Sequence, residues 1–252
     1  MAAIGGASAP ANFLCVGSFS TICGASKSNP AVAKTESAKP ASRACQGSPR
    51  TTAHIAKPSA GNESEPRLPR WADKRTAAIA AARAGARVAY LTRLGTDRWG
   101  DRLMDLWQQE NVDTTPVQRD AQSPTGMYFV SHDAQGHHFS YARAGSAASR
   151  MQVQDLAHWA DPIAHSQWLH LSGISLAISA SACDIAFAAM QHARSVGTRV
   201  ALDSNLRLSL WPLARAQACI RHGVSLCDLF LPSLEDMTAL TGLTQAADII
   251  AW

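Results

Sequence analysis

The chain has 252 residues, of which 46% are hydrophobic, so it can bury a substantial core without disulfides. It contains no run of eighteen apolar residues, and we therefore expect no transmembrane helix and no membrane partner. The net charge of +4 is uneven: residues 1–70 hold eight Lys and Arg against three Glu, whereas residues 71–252 hold fifteen basic and sixteen acidic side chains. Without a basic patch in the latter part, we expect no nucleic-acid partner.

The six cysteines are Cys15, Cys23, Cys45, Cys183, Cys219 and Cys227. They form no CxxC pair, no Cys/His spacing is typical of a zinc site, and the histidines lack an i, i+4 ligand pair. We expect the last three to behave as small core residues. A reducing, cytoplasmic setting fits this pattern.

Residues 1–70 are rich in Ala, Ser, Pro, Gly and Thr and show no sustained helical or strand period. This composition predicts a disordered, low-complexity segment. A transit peptide is a weaker alternative, because the segment lacks an Arg-rich amphipathic pattern. From Trp71 the sequence becomes Ala-rich and helix-prone. We therefore expect the folded domain to span residues 71–252.

The first predicted elements are a helix within residues 71–86, a strand over residues 87–92 and a helix over residues 98–110. Two strand-like runs follow, Gly126–Ser131 and His137–Ala142. The link between these runs contains Gly136, which favours a hairpin. We interpret this hairpin as a small β element of its own.

The rest of the chain alternates between strand and helix patterns. The predicted strands cover residues 167–171, 199–202 and 228–231, and the predicted helices cover residues 179–195, 213–221 and 234–240. This order predicts an α/β fold whose parallel sheet is covered by helices. A further helical pattern begins at Ala246 and the alternation then stops, so we expect a truncated form of a longer protein.

Polar residues follow the strand at residues 199–202, in the segment Asp203–Arg207. The carboxyl ends of strands are where open α/β sheets bind ligands. An acid, an amide and a guanidinium group within five residues suit a hydroxylated, anionic ligand. Ordinary turn chemistry explains Asp-Ser-Asn equally well, so both interpretations stay open.

The hairpin carries a second candidate group. Pairing of its strands would bring Tyr128 and Tyr141 together on one face, with Arg143 just beyond. Arg143 could then bind a carboxylate in a bidentate manner. The alternative is a cross-strand aromatic pair beside a solvated arginine.

Two further segments lie at the starts of predicted helices. Ser233 precedes Glu235 and Asp236 in a pattern typical of an N-terminal helix cap, although the two carboxylates could also help to hold Mg²⁺. Gly95 and Asp97 lie in a strand-to-helix loop, for which we favour a plain turn with Asp97 as the helix cap.

Taken in order, these segments resemble the PfkB, or ribokinase-type, carbohydrate kinases over about residues 76–252. The matching segments are Arg87–Asp101, Thr125–Tyr128, Tyr141–Ser149, Leu169–Ile174, Asp203–Arg207 with Leu210–Trp211, and Leu231–Asp236 with Leu240–Gly242. The resemblance implies a three-layer α/β sandwich with a mainly parallel sheet and a small β lid, here incomplete at both ends. It places the lid strands at about residues 112–145.

The same resemblance implies the roles of individual residues. Tyr128, Tyr141 and Arg143 match lid positions that contact a keto-deoxy sugar acid. Arg207 matches a catalytic-site residue that binds the carboxylate side of the substrate and lies near the transferred phosphoryl group. Asn205, together with Arg207, matches positions close to the nucleotide phosphates.

The resemblance also implies that Glu235 and Asp236 lie in the region that the family uses for Mg²⁺, although Ser233 stands where many members have Asn. The family's early Gly-Gly-Asp-x-x-Asn motif is replaced by Trp71–Thr76. The late Asp-Thr-x-Gly-Ala-Gly-Asp motif, which supplies the anion hole and the catalytic Asp base, has no counterpart in the printed sequence.

The activity that the resemblance implies is ATP- and Mg²⁺-dependent phosphorylation of 2-keto-3-deoxygluconate to the 6-phosphate. Since the late motif is missing, we expect the 252-residue chain to be impaired. The alternatives are an inactive gene fragment, a non-catalytic sugar-binding remnant, or a kinase for fructose, ribose or a nucleoside. Lids of this family often pair between subunits, which implies a homo-oligomer formed through the lid.

Overall fold

A computed structural model describes residues 11–16, 21–24, 77–133 and 136–251. The strands are β1 Asn12–Val16, β2 Thr21–Gly24, β3 Arg87–Leu91, β4 Arg93–Gly95, β5 Val112–Asp113, β6 Gln118–Asp120, β7 Met127–Asp133, β8 Gly136–Ala142, β9 Trp168–Ser172, β10 Arg199–Asp203 and β11 Leu229–Leu231. The helices are α1 Ala77–Arg83, α2 Arg98–Gln109, α3 Leu156–Ala164, α4 Gly173–Ala177, α5 Ala180–Ser195, α6 Leu213–Leu226, α7 Leu234–Thr241 and α8 Ala246–Ala251. Short 3₁₀ turns cover Ala148–Arg150 and Val153–Asp155.

The main sheet has six strands in the order β11-β10-β9-β1-β3-β5, and every neighbouring pair is parallel. Strand β1 lies in the middle, and the chain winds outward from it in both directions. Such a reversal of strand order opens a crevice at the carboxyl ends of the strands, which is where doubly wound sheets bind ligands.

Alternation of side chains along β1 explains why helices cover both faces of the sheet. Leu14 and Val16 belong to one buried cluster with Trp159 and Ile185, from α3 and α5. Cys15 points the other way, into a second cluster with residues of α1 and α2. Successive strand residues face opposite sides, so the two clusters form two cores and the molecule has three layers. The predicted α/β fold is confirmed.

The position of β1 corrects one expectation. The sequence predicted disorder throughout residues 1–70, yet Asn12–Val16 form the central strand, paired with β3 on one side and β9 on the other. Leu14 and Val16 are each only 3% exposed. The strand contains an apolar run of only four residues, which is too short to show a period, so the composition of the segment gave no sign of it. The remainder of that prediction falls mostly outside the described residues.

A separate three-stranded sheet has the order β2-β7-β8. Strands β7 and β8 are antiparallel, and Tyr128 lies directly opposite Tyr141. The predicted hairpin is therefore confirmed, but the expected lid boundaries at about residues 112–145 are too wide. Strand β5 belongs to the main sheet, and β6 pairs with β4 in a two-stranded ribbon.

Within the described ranges, none of the helices has both the length and the apolar character needed to cross a membrane.

Candidate functional site

The carboxyl ends of β9 and β10 meet at one polar junction. Asn205, in the turn after β10, donates a hydrogen bond from Nδ2 to Ser172 Oγ at the end of β9, at 3.1 Å. The backbone of Asn205 has a φ of 32°, in the left-handed region that Asn tolerates better than most residues. Ser172 also caps α4, since its Oγ accepts from Ile174 N at 3.3 Å. The segment Asp203–Arg207 thus forms a turn, and its side chains also take part in the polar junction.

Asp236 fixes this turn from the side of α7. Its Oδ2 accepts a hydrogen bond from Ser204 Oγ at 2.6 Å and another from Leu206 N at 3.0 Å. Ser233 Oγ in turn accepts from Asp236 N at 3.1 Å, so the predicted cap is present. Ser204 is fully buried, and its hydroxyl needs such a partner.

Gly173 allows β9 and the turn after β10 to approach each other. A Cβ at Gly173 would lie 2.0 Å from the carbonyl oxygen of Ser204, which no side chain could tolerate. Close approach of two backbone segments is a structural reason for glycine. The Ser172-Gly173 pair is therefore part of the site's architecture.

Asp203 ends β10 beside this junction. Burial raises the pKa of its carboxyl above the usual value, and the negative charge of Asp236 acts in the same direction. A hydrogen bond from the backbone of Asn205 and the positive charge of Arg207 oppose the rise. The junction thus holds two carboxylates. Hydrogen bonds hold Asp236 in place, whereas burial destabilises the charged form of Asp203.

The three-stranded sheet β2-β7-β8 is called the lid below. Just after its last strand, Arg143 packs against two aromatic rings. Its guanidinium carbon lies 4.5 Å from the ring centroid of Tyr141 and 5.9 Å from that of Tyr128. The two rings have centroids 6.2 Å apart and are tilted by 39°. Among the described residues, the buried Nε of Arg143 has no hydrogen-bond partner. The predicted pairing of the tyrosines is present, and the arginine belongs to it.

Arg143 and Arg207 influence each other electrostatically. Burial lowers the pKa of Arg143 below its usual value, and the positive charge of Arg207 lowers it further. The structure therefore brings a lid residue and a residue of the β10 turn to the same region. An anion bound beside Arg143 would offset the cost of keeping its charge half-buried and near a second cation.

Glu235 and Asp236 do not make a metal site by themselves. Glu235 is exposed in the first turn of α7, while Asp236 Oδ2 already accepts two hydrogen bonds. The described ranges contain no group of three or more His, Cys, Asp or Glu side chains placed to hold a metal ion. The described carboxylates therefore fit a resident Mg²⁺ poorly.

Sequence reasoning missed a junction beneath the lid. Asp97 caps α2 by accepting from Trp99 N and Gly100 N, at 3.0 and 2.9 Å, and its other oxygen accepts from Thr125 N at 2.6 Å. Thr125 Oγ1 accepts from Gly95 N at 3.1 Å. The loop that we interpreted as a plain turn thus ties α2 to the chain entering β7. The position of Thr125 just before a strand gave no signal of this contact.

The architecture agrees with comparisons to known proteins. The sequence model described as pfkB family carbohydrate kinase matches residues 73–252. The chain belongs to the pfkB family of carbohydrate kinases. Strand β1 lies outside the matched range, although it occupies the centre of the main sheet in this structure.

Among curated relatives, 2-dehydro-3-deoxygluconokinase of Escherichia coli is 32% identical over 168 residues, covering 65% of this chain and 54% of that protein. Fructokinase of Escherichia coli is 31% identical over 170 residues, covering 67% of this chain and 54% of that protein. The chain therefore spans about half the length of the curated relatives that it matches.

Solved structures give the same result for the fold. A PfkB protein from Polaromonas sp. JS666 superimposes with a TM-score of 0.65 at 34% identity, covering 69% of this chain and 59% of that chain. A ribokinase II from E. coli, in complex with ATP and Mg²⁺, gives a TM-score of 0.70 at 17% identity, covering 96% of this chain and 68% of that chain. At that identity, the second similarity supports the fold alone.

Proposed function

We propose that this chain carries the sugar-acid site of an ATP-dependent kinase for 2-keto-3-deoxygluconate, which would form the 6-phosphate. The substrate's carboxylate would bind between Arg143 and Arg207, and its hydroxyl groups would face Tyr128 and Tyr141. Family membership supports sugar phosphorylation, and the relatives named 2-dehydro-3-deoxygluconokinase support this choice of sugar.

The observation that carries the proposal is that Arg143, packed against Tyr128 and Tyr141, lies within electrostatic range of Arg207, so that the two arginines repel each other. A neutral sugar offers nothing to offset their mutual repulsion, whereas a carboxylate would neutralise it and could accept paired hydrogen bonds. The guanidinium of Arg143 carries several N–H groups that could donate to such a ligand. Tyr141 is 42% exposed, so one face of the aromatic pair is open to a substrate.

Asn205 and Arg207 are the residues that we assign to the nucleotide side. Both follow the carboxyl end of β10, and Asn205 bonds to Ser172 at the end of β9, the strand beside β1 where the strand order reverses. Their amide and guanidinium groups can position phosphate oxygens and spread the charge of a transferring phosphoryl group. ATP would supply that group, and Mg²⁺ would enter with the nucleotide, since the described carboxylates do not hold it alone.

We further propose that the 252-residue polypeptide, taken by itself, transfers phosphate poorly. The printed sequence has no Asp-Thr-x-Gly-Ala-Gly-Asp segment to supply anion-stabilising donors and a base. Loss of such donors commonly lowers a rate by about 10²–10³, and loss of a general base lowers it by a further ~10²–10⁴. The chain would then still bind the sugar although it transfers phosphate poorly.

A second candidate substrate is fructose, because a fructokinase is among the relatives at nearly the same identity. Calorimetric titration of the chain with 2-keto-3-deoxygluconate and with fructose, each with and without ATP, separates the alternatives. We expect the acid to bind and a coupled ADP-release assay to show little turnover. Preferential binding of fructose would contradict the substrate assignment, and normal turnover would contradict the impairment.

A further inference from the structure

Two cysteines on neighbouring helices bring their thiols together. Cys183 lies in the first turn of α5, and Cys219 lies in the middle of α6. Their sulfur atoms are 3.8 Å apart, and both side chains are free thiols. The sulfurs of a disulfide are about 2.05 Å apart, so a bond between these two requires them to approach by about 1.8 Å. Neither thiol has a part in the site described above.

The fold holds the two helices against each other on one face of the sheet. At their carboxyl ends, Arg194 of α5 donates from Nη1 to the carbonyl oxygen of Leu226 in α6, at 3.3 Å. Gly223 lets α6 lie close to β10, since a Cβ there would be 2.8 Å from Leu202 Cδ2. Cys183 belongs to the buried cluster on this face, and Cys219 packs against it. The thiol pair is therefore positioned by two packed helices.

The two thiols differ in their access to solvent. Cys183 is only 4% exposed, and burial raises its pKa to about 12, with the neighbouring Cys219 acting in the same direction. The positive charge of Arg215, one turn before Cys219, opposes this rise. Cys219 is partly exposed. Because thiolates react with oxidants and thiols do not, Cys219 is the side chain that a small oxidant meets first.

We propose that Cys183 and Cys219 form a reversible redox pair, which hydrogen peroxide oxidises to an intramolecular disulfide. The Cys219 thiolate attacks one peroxide oxygen, the O–O bond breaks, and a sulfenic acid forms while hydroxide leaves. Cys183 Sγ then attacks the sulfur of Cys219, the S–O bond breaks, and a second hydroxide leaves. The two thiol protons go to the two hydroxides, so two thiols and one peroxide give one disulfide and two waters. Thiol–disulfide exchange with a small dithiol reverses the oxidation.

The new bond would close a large loop of the chain. Cys183 and Cys219 are 36 positions apart, and the chain between them includes β10 and the segment Asp203–Arg207. A cross-link of this kind restricts the unfolded chain and thereby stabilises the folded state. We expect the oxidised chain to melt about 5 °C or more above the reduced chain. Oxidation would thus protect the part of the sheet that carries the polar turn.

The test treats the full, folded chain with hydrogen peroxide, blocks the remaining thiols with iodoacetamide and maps the unreduced tryptic peptides by mass spectrometry. Cleavage after Lys and Arg places Cys183 in peptide 151–194, Cys219 in peptide 216–221 and Cys227 in peptide 222–252. We expect peptides 151–194 and 216–221 to be joined with the loss of two hydrogens. Dithiothreitol should separate them and reverse the rise in melting temperature.

Substitutions test the order of the two steps. Cys219→Ser should abolish both the linked peptide and the melting shift, whereas Cys183→Ser should leave a sulfenic acid at Cys219 that dimedone traps. Cys227→Ser is the matched control, because Cys227 is a partly buried thiol at the end of the same helix, and this variant should behave as the unmodified chain. Absence of the linked peptide in the unmodified chain would overturn the proposal. So would a disulfide that joins Cys219 to a cysteine other than Cys183.

Discussion

Asp236, in the first turn of α7, holds Ser204 in the turn after β10 through a hydrogen bond of 2.6 Å between Ser204 Oγ and Asp236 Oδ2. The same oxygen accepts from Leu206 N, so one carboxylate fixes both residues that flank Asn205. The carboxylate that the sequence offered for Mg²⁺ therefore braces the polar turn. We expect any effect of Asp236 on ligand binding to pass through the position of Asn205 and Arg207.

Replacement of Asp236 by Ala should loosen this turn. It leaves the buried Ser204 hydroxyl and the Leu206 N–H without an acceptor, which we expect to lower the free energy of unfolding by about 1–3 kcal/mol. Urea denaturation measures the loss. Glu235→Ala is the control, since Glu235 is the exposed neighbour in the same helical turn. Equal effects of the two substitutions would show that Asp236 does not brace the turn.

The carboxyl of Asp203 should make stability depend on pH. Its folded-state pKa is raised above the ordinary 3.8 by burial and then by Asp236, so its contribution to stability is fully present below the unfolded pKa. That contribution is lost as pH rises through the folded pKa. We expect Asp203→Asn to remove this part of the pH dependence. Denaturation of both proteins between pH 3 and pH 7 tests it, and parallel curves would refute it.

Asp97 should have the opposite pH dependence. Although burial acts to raise it, hydrogen bonds from Thr125, Gly100 and Trp99 hold the pKa of Asp97 below its usual value. Its contribution is present above the unfolded pKa and lost as pH falls through the folded pKa. We expect Asp97→Ala to cost about 1–2 kcal/mol at pH 7, as for loss of a helix cap, and less in acid.

The control for Asp97→Ala is Asp105→Ala, on the exposed face of the same helix α2. Chemical denaturation of both variants at pH 7 and at acidic pH gives the comparison. A penalty that is independent of pH, or that is shared by Asp105→Ala, would contradict the capping role of Asp97.

The thiol of Cys15 reports whether β1 is in the sheet. Cys15 is 3% exposed, and burial raises its pKa to about 12, so we expect very slow alkylation in the native protein. Cys227, which is only partly buried, is the internal comparison. Pulse labelling with iodoacetamide, followed by peptide mass spectrometry, measures both rates. Alkylation of Cys15 as fast as that of Cys227 would show that residues 12–16 are not packed in the sheet.

Most of the sheet and its covering helices could be predicted because their apolar residues follow regular periods. Helices α2 and α5 and strands β3, β9 and β10 lie within about two residues of the predicted bounds. Helix α3 was missed, since Pro162 lies inside it. Strand β1 was missed because a four-residue apolar run inside a Ser- and Ala-rich segment has no distinguishing period.

Less of the candidate site than of the fold could be predicted from the sequence. The tyrosine pair followed from the strand pattern, because the hairpin register places Tyr128 opposite Tyr141. The contact between Asp236 and Ser204 joins residues 32 positions apart, and only the packing of α7 against the sheet brings them together. The electrostatic influence of Arg207 on Arg143 likewise links the chain after β8 to the turn after β10, which no local pattern predicts.

The central claim is that Arg143 and Arg207 together bind the carboxylate of a sugar acid. The most direct measurement is calorimetric affinity for 2-keto-3-deoxygluconate and for fructose, in the unmodified chain and in Arg143→Ala. We expect the substitution to weaken the acid by about tenfold or more, as for a charged hydrogen bond, and to leave the neutral sugar little changed. Equal losses for the two sugars would contradict the claim.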